Sequence, residues 1–155
     1  MSETVIYRYQ PAITLGPHGT DLRPRGPDGL DASETLTELC ELDGWRYVSV
    51  PAAAASAVTV PEALSTWEAV TLSDGLREQL KAASPHTQLI VERVVGLIRC
   101  RYPLDEELYF ARIAVGALQG TYTLLPGEAE ALAQYQADVE AAREWGRTER
   151  AKLGL

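Results

Sequence analysis

The sequence predicts an α+β fold. A C-terminal helical bundle of about four helices follows a small N-terminal β-hairpin region and an extended Gly/Pro-rich arm. Three observations carry this. Apolar residues recur at helical spacing from Ser84 to Gln119 and again after Pro126; Asp43-Gly44 separates two strand-like runs; and two Gly-Pro turns lie upstream of that pair. The predicted division is 1–51 for arm and hairpin, 52–71 for a linker, and 72–155 for the helical domain.

Val5-Ile6-Tyr7-Arg8-Tyr9 is a short β-prone run closed by Pro11. Gly16-Pro17-His18-Gly19 and Gly26-Pro27-Asp28-Gly29 each suit a type I turn, with Pro second and Gly fourth. They suggest an extended arm or two wide loops. An irregular stretch of that length is unusual inside a compact monomer, which points to ordering by a neighbouring subunit. Asp43-Gly44 is the favoured two-residue hairpin connection between Leu36–Leu42 and Trp45–Val50. Glu34–Leu42 also fits a short helix capped by Ser33; turn chemistry favours the hairpin. Ala52–Ala63 is small and apolar, bounded by Pro51 and Pro61, and reads as a semi-extended linker with a candidate strand at Ser56–Val60. Leu64, Trp67 and Val70 then suggest a helical turn or a docking patch.

Ser73 or Thr71 caps a short helix with Leu76, Leu80 and Ala83 on its buried side. Ser84-Pro85 opens the next helix, Ser as cap and Pro in the first turn. Ile90, Val91, Val94, Val95, Leu97 and Ile98 share one wide face of it, with Glu92, Gly96 and Arg99 opposite. Pro103 stops that helix near Arg101. Asp105-Glu106-Glu107 suits the positive end of a following helix, which runs to Gly120. Thr121–Leu125 is a β-prone loop. Pro126-Gly127-Glu128 starts a last helix reaching about Lys152, with a narrow stripe of Leu132, Tyr135, Val139 and Ala142 that Gly146 and Glu149 interrupt. The middle helices are expected to form a self-sufficient scaffold.

The net charge is −8. Residues before Thr71 carry 4 basic against 10 acidic groups, −6, and the remainder 10 against 12, −2. This excludes the clustered Lys and Arg of a nucleic-acid footprint. No apolar run approaches the ~20 residues of a membrane span, so no membrane partner is expected. The two cysteines, Cys40 and Cys100, lack metal-ligand spacing and read as reduced thiols of a chain made in the cytoplasm.

Enzyme signatures are missing from the sequence: there is no nucleophile elbow, phosphate loop, dinucleotide fingerprint or zinc helix. His18 and His86 read as surface residues, and His18 with Asp21 and Asp28 makes an incomplete ligand set. The expectation is a non-enzyme with no catalytic residues, metal or cofactor, built for contact. The candidate partner-binding residues are Tyr7, Tyr9, Trp67, Tyr135, Arg143, Trp145 and Arg147. Trp145, flanked by Arg143 and Arg147, is either a binding hot spot or an anchor folding the helix end onto the core.

Ala83-Ser84-Pro85-His86, Glu92-Arg93-Val94, Ile98-Arg99-x-Arg101-Tyr102 and Asp105-Glu106-Glu107-Leu108 resemble uncharacterised proteins encoded near tail-fibre genes of bacteriophages and prophages. The ending Tyr135-x3-Val139-x3-Arg143-x-Trp145-Gly146-Arg147 is similar to the ends of such proteins. The likeness covers roughly the C-terminal half. It implies a structural protein of the virion tail, in the baseplate or tail-fibre region, or an assembly chaperone for a fibre. The implied partners are other tail, baseplate or fibre proteins in a homo- or hetero-oligomer, with the chain made in the host cytoplasm and carried into the virion. Two other classes remain open: a small cytosolic hydrolase using His18 and the acidic loops, and a regulator binding a host protein through Trp145.

Overall fold

A computed structural model describes residues 3–14, 20–26 and 36–155 and has an α+β architecture. Strands β1 (Thr4–Tyr9), β2 (Ala12–Thr14), β3 (Thr20–Leu22), β4 (Thr37–Leu42), β5 (Trp45–Pro51) and β6 (Glu68–Val70) precede helices α1 (Asp74–Ala83), α2 (Pro85–Arg101), α3 (Leu104–Leu118) and α4 (Glu128–Lys152). Contacts group the chain into two compact units: Met1–Gln88 with Glu149–Leu155, and Leu89–Thr148. These bounds differ from the 51/52 and 71/72 boundaries read from composition.

In the first unit an antiparallel sheet has the order β4-β5-β1-β6. Asp43 (φ 52°) and Gly44 (φ 77°) are both left-handed, as the predicted hairpin turn requires. The helical alternative for Glu34–Leu42 is thereby set aside over its described residues, Leu36–Leu42; Ser33 lies outside them. A bulge between Glu38 and Cys40 lets the successive residues Leu39 and Cys40 both turn inward.

Strand β5 is buried on both faces: Tyr47, Val48, Ser49 and Val50 are each at most 4% exposed. Period-2 alternation sends Ile6 and Tyr47 to one side and Tyr9, Val48 and Val50 to the other. On the first side Leu80 of α1 packs with Leu155, supported by Leu76, Ala83 and Leu153. On the second side lie Leu64, Ala54, Ala55, Val58, Val60 and Trp67.

The segment 52–71 is therefore no linker. It forms a 3-10 helix, Ala52–Ala57, then strand β6 paired with β1. The expected Ser56–Val60 strand reduces to a single bridge, Thr59 with Arg25. The rigid Pro51 turns the chain, and small alanines tuck against the sheet, so burial leaves no periodic trace.

Part of the expected arm is also paired, β2 antiparallel to β3. The turn residues Gly16-Pro17-His18-Gly19 and Pro27-Asp28-Gly29 lie outside the described residues, as does a metal set using His18 and Asp28.

The end of α4 is tied to the sheet by polar bonds as well. The Thr4 hydroxyl donates to the Lys152 carbonyl at 3.1 Å, and Arg77 to the Gly154 carbonyl at 3.1 Å. Gly154 turns the chain with φ 77°, and a Cβ there would sit 3.0 Å from Ile6 Cδ1.

At the α1–α2 junction Ser73 caps α1 as predicted, its Oγ accepting from the Leu76 N–H at 3.3 Å. Ser84 does not act as expected. It is fully buried, its N–H donates to the Leu80 carbonyl at 2.9 Å, and its hydroxyl has no hydrogen-bond partner among the described residues.

In the second unit Phe110 and Tyr135 stack at 4.8 Å, with Tyr102 edge-on to both. Ile113 and Ala142 are buried, and the predicted α4 stripe of Leu132, Tyr135 and Val139 is half-buried. Gly146 extends that stripe instead of breaking it, being buried one turn beyond Ala142. On α2, Ile90, Val94 and Ile98 are half-buried, whereas Val91, Val95 and Leu97 stay exposed. The helix has a wide apolar arc, and only its middle is covered.

Gly154→Ala is expected to lower stability by about 1–2 kcal/mol through its positive φ and the Ile6 contact, read from urea unfolding followed at the sheet signal. Ser84→Ala should leave stability within about 0.5 kcal/mol or raise it, unlike the ~1 kcal/mol loss of a working cap, since it removes an unpaired buried hydroxyl.

Candidate protein-contact site

A cleft within the Leu89–Thr148 unit has a volume of about 490 Å³ and runs between the end of α2 and the middle of α4. Its construction follows from residue size. Leu97 and Ile98 give an aliphatic wall on α2, and Val139 matches them on α4. Ala141 and Ala142 are too short to fill the space between Val139 and Trp145. Trp145 closes one side and remains 36% exposed.

The other side is polar and fixed. Asp138 accepts from the Tyr102 hydroxyl at 2.6 Å and pairs with Arg101 at 2.6 Å. The Tyr102 bond, then those of Gln134 and Arg101, hold the Asp138 carboxyl below the usual carboxylate range. The same bond to a carboxylate pushes the Tyr102 hydroxyl up. The rim therefore stays charged and ordered at neutral pH beside an apolar trough.

The predicted contact residues separate into two groups. Trp145 lines the cleft. Arg143 and Arg147 are exposed on the same helix; Arg147 is held by Glu140 and by Glu144 at 2.7 Å, and Arg143 has no ion pair among the described residues. Tyr135 lies half-buried in the aromatic cluster. In the other unit Tyr7 stacks on Trp67 at 4.6 Å, and Tyr9 packs on the same indole at 5.9 Å. Tyr9 is 1% exposed and offers a partner no surface. Sequence reasoning grouped these three aromatics, and the sheet does bring them together, in its own core.

Leu97, Ile98, Val139 and Ala142 complete the cleft; the sequence marks them as apolar stripe positions, those of the last helix facing the core or a partner. Their apolar spacing was visible; that the cleft beside them stays open was not. Among the described residues no group of three or more His, Cys, Asp or Glu side chains converges to hold a metal, and no helix is long and apolar enough to cross a membrane. His86 is exposed in the first turn of α2. Cys100 lines the cleft as a free, exposed thiol.

Elsewhere in the chain, charge is used locally. Arg46, only 11% exposed, reaches Asp21 at 2.8 Å and Glu38 and Glu41 at 3.4 Å, while Arg23 shares Asp21 and Glu38. Asp21 is thus an ion-pair partner of Arg46, whose guanidinium lies over the Tyr9 ring at 5.8 Å. What the α2–α4 cleft can do is seat one or two apolar side chains of another protein, with Arg101 and Asp138 setting their register.

No protein-family model, curated protein or solved structure matches the chain.

Because Asp138 is depressed in the folded state, its contribution is present above the unfolded carboxylate pKa of about 3.9 and is lost as pH falls through the lower folded value. Asp138→Asn should melt below the wild type at pH 7, with the gap closing below about pH 4 in thermal melts across that range.

Proposed function

We propose that this protein is a non-enzymatic structural component of a phage-like tail, working through protein–protein contacts in the baseplate or tail-fibre region. The observation that carries the contact role is the open α2–α4 cleft, with apolar walls, an exposed tryptophan and an ordered ion pair at its rim. Tryptophan and arginine are both enriched among side chains that dominate binding energy. The placement in a tail is supported by the resemblance of the C-terminal half to proteins encoded beside tail-fibre genes.

The partner surface that fits is an amphipathic helix or strand presenting one or two large apolar side chains into the trough. Fixed dimensions and a rigid aromatic cluster beneath favour a pre-formed site.

Mass spectrometry of purified particles should find the protein in them. Its presence in infected-cell lysate on the fibre protein, with absence from finished particles, would assign it instead as an assembly chaperone. Trp145→Ala should weaken capture of the tail partner by about tenfold or more while leaving the far-ultraviolet circular dichroism unchanged.

A further inference from the structure

Helix α3 is apolar on two faces. One is inward: Phe110 is 9% and Ile113 3% exposed, with Ala114 and Ala117 half-buried. The other is a second stripe, Leu104, Leu108, Ala111, Val115 and Leu118, stepping by four and three residues in turn. Its large members are exposed by 54%, 63%, 51% and 89%, and Ala111 is exposed as well. A second, bare apolar stripe on a helix calls for a cover, and steps of four and three are the seam of a two-helix contact.

A lipid surface is a poor cover. The helix carries Asp105, Glu106 and Glu107 against Arg112, and anionic headgroups attract the opposite balance. Charge instead points to the occupant. Asp105 and Arg112 stand seven residues apart on one flank of the stripe, both exposed and neither ion-paired among the described residues. Glu107, on the other flank, is already beside Arg99 at 3.6 Å.

We propose that this stripe is a self-association seam, covered by α3 of a second copy running antiparallel. With Leu108 of each copy packed on Ala111 of the other, Leu104 meets Val115, and Asp105 of each copy lies beside Arg112 of the other. The pairing is isologous, so this ion pair forms twice, once on each side of a two-fold axis. A parallel pairing instead brings both acidic helix starts together and draws on the engaged Glu107. The paired stretch, residues 104–115, makes a short contact of ~18 Å, which places the dimer in the weak range, near micromolar. The seam uses α3 alone and stands whether or not the cleft binds a tail protein.

Sedimentation of the purified full chain, from micromolar to near-millimolar concentration, should show a reversible monomer–dimer equilibrium. Leu108→Glu should leave circular dichroism unchanged, because the side chain is 63% exposed, and shift the chain to monomer by a hundredfold or more in dissociation constant. Val115→Glu, at a 51% exposed position facing Leu104 of the other copy, makes the same test independently of any folding defect at Leu108. Asp105→Arg and Arg112→Asp should each weaken the dimer by about tenfold, and the double swap should restore it. A chain that stays monomeric throughout overturns the proposal. So does a dimer indifferent to both glutamates, or a double swap that fails to recover.

Discussion

A strand covered on both faces fixes the shape of the first unit. Tyr47–Val50 leave almost no surface to water, yet β5 sits in a small sheet of four strands. Two separate pieces of chain must therefore supply the covers. One is α1 joined by Leu153 and Leu155; the other is the stretch from Ala54 to Trp67. Neither cover can be spared, since each fully buried Leu or Val adds about 1.5–3 kcal/mol. The same demand explains why the chain returns to the sheet after α4 and why Gly154 is needed for the approach. With φ 77° and Ile6 Cδ1 3.0 Å from where a Cβ would stand, a larger residue would push Leu155 out of its place.

The second unit obeys a different constraint. Its core is narrow, an aromatic cluster with Ile113 and Ala142, and much of its apolar surface faces outward. Glycine sets the α3 end: a Cβ on Gly116 would lie 2.8 Å from Tyr122 Cβ, and the Gly116 carbonyl accepts from the N–H groups of Thr121 and Tyr122. Gly120, with φ 68°, ends the helix. The Tyr109 and Tyr122 hydroxyls and the Leu125 N–H all converge on Glu128, which is held below the ordinary carboxylate range by the Tyr109 bond and then by the Leu125 N–H. The bonds to that carboxylate push the Tyr109 hydroxyl up to about 12. These polar ties order the α3–α4 connection where hydrophobic burial is thin.

What could be read from residues was whatever local chemistry dictates. Asp43-Gly44 demanded two left-handed residues, Pro103 a break, Ser73 a cap and Gly120 a stop, and each is found. What escaped were features set by distant partners. Ala54 and Ala55 sit in a run of alanines that carries no period, so their packing against Val48 and Val50 left no mark. Ser84 looked like a cap because Ser-Pro is a common start, but burial between elements decides its role. Periodicity placed Val91, Val95 and Leu97 on an apolar arc correctly; it is silent on whether that arc is covered. The candidate contact residues divide along the same line, Tyr9 being drawn into a core and Trp145 left at an open cleft.

Among the described residues, the large exposed apolar side chains fall between Leu89 and Trp145, and the sheet unit has none. A scattered Leu at a surface is ordinary. Segregation to one unit is not, because both units fold in the same solvent. The sheet unit gathers its apolar residues around two covered faces, including short, weakly patterned ones. The helical unit leaves Leu104, Leu108, Val115 and Leu118 in a line and Leu97 beside an open trough. Helix stability alone does not ask for leucine at such positions, since lysine, glutamate or glutamine would serve nearly as well in a solvated turn. On the proposed contact role, these exposed leucines and this valine are where the helical unit would meet another protein.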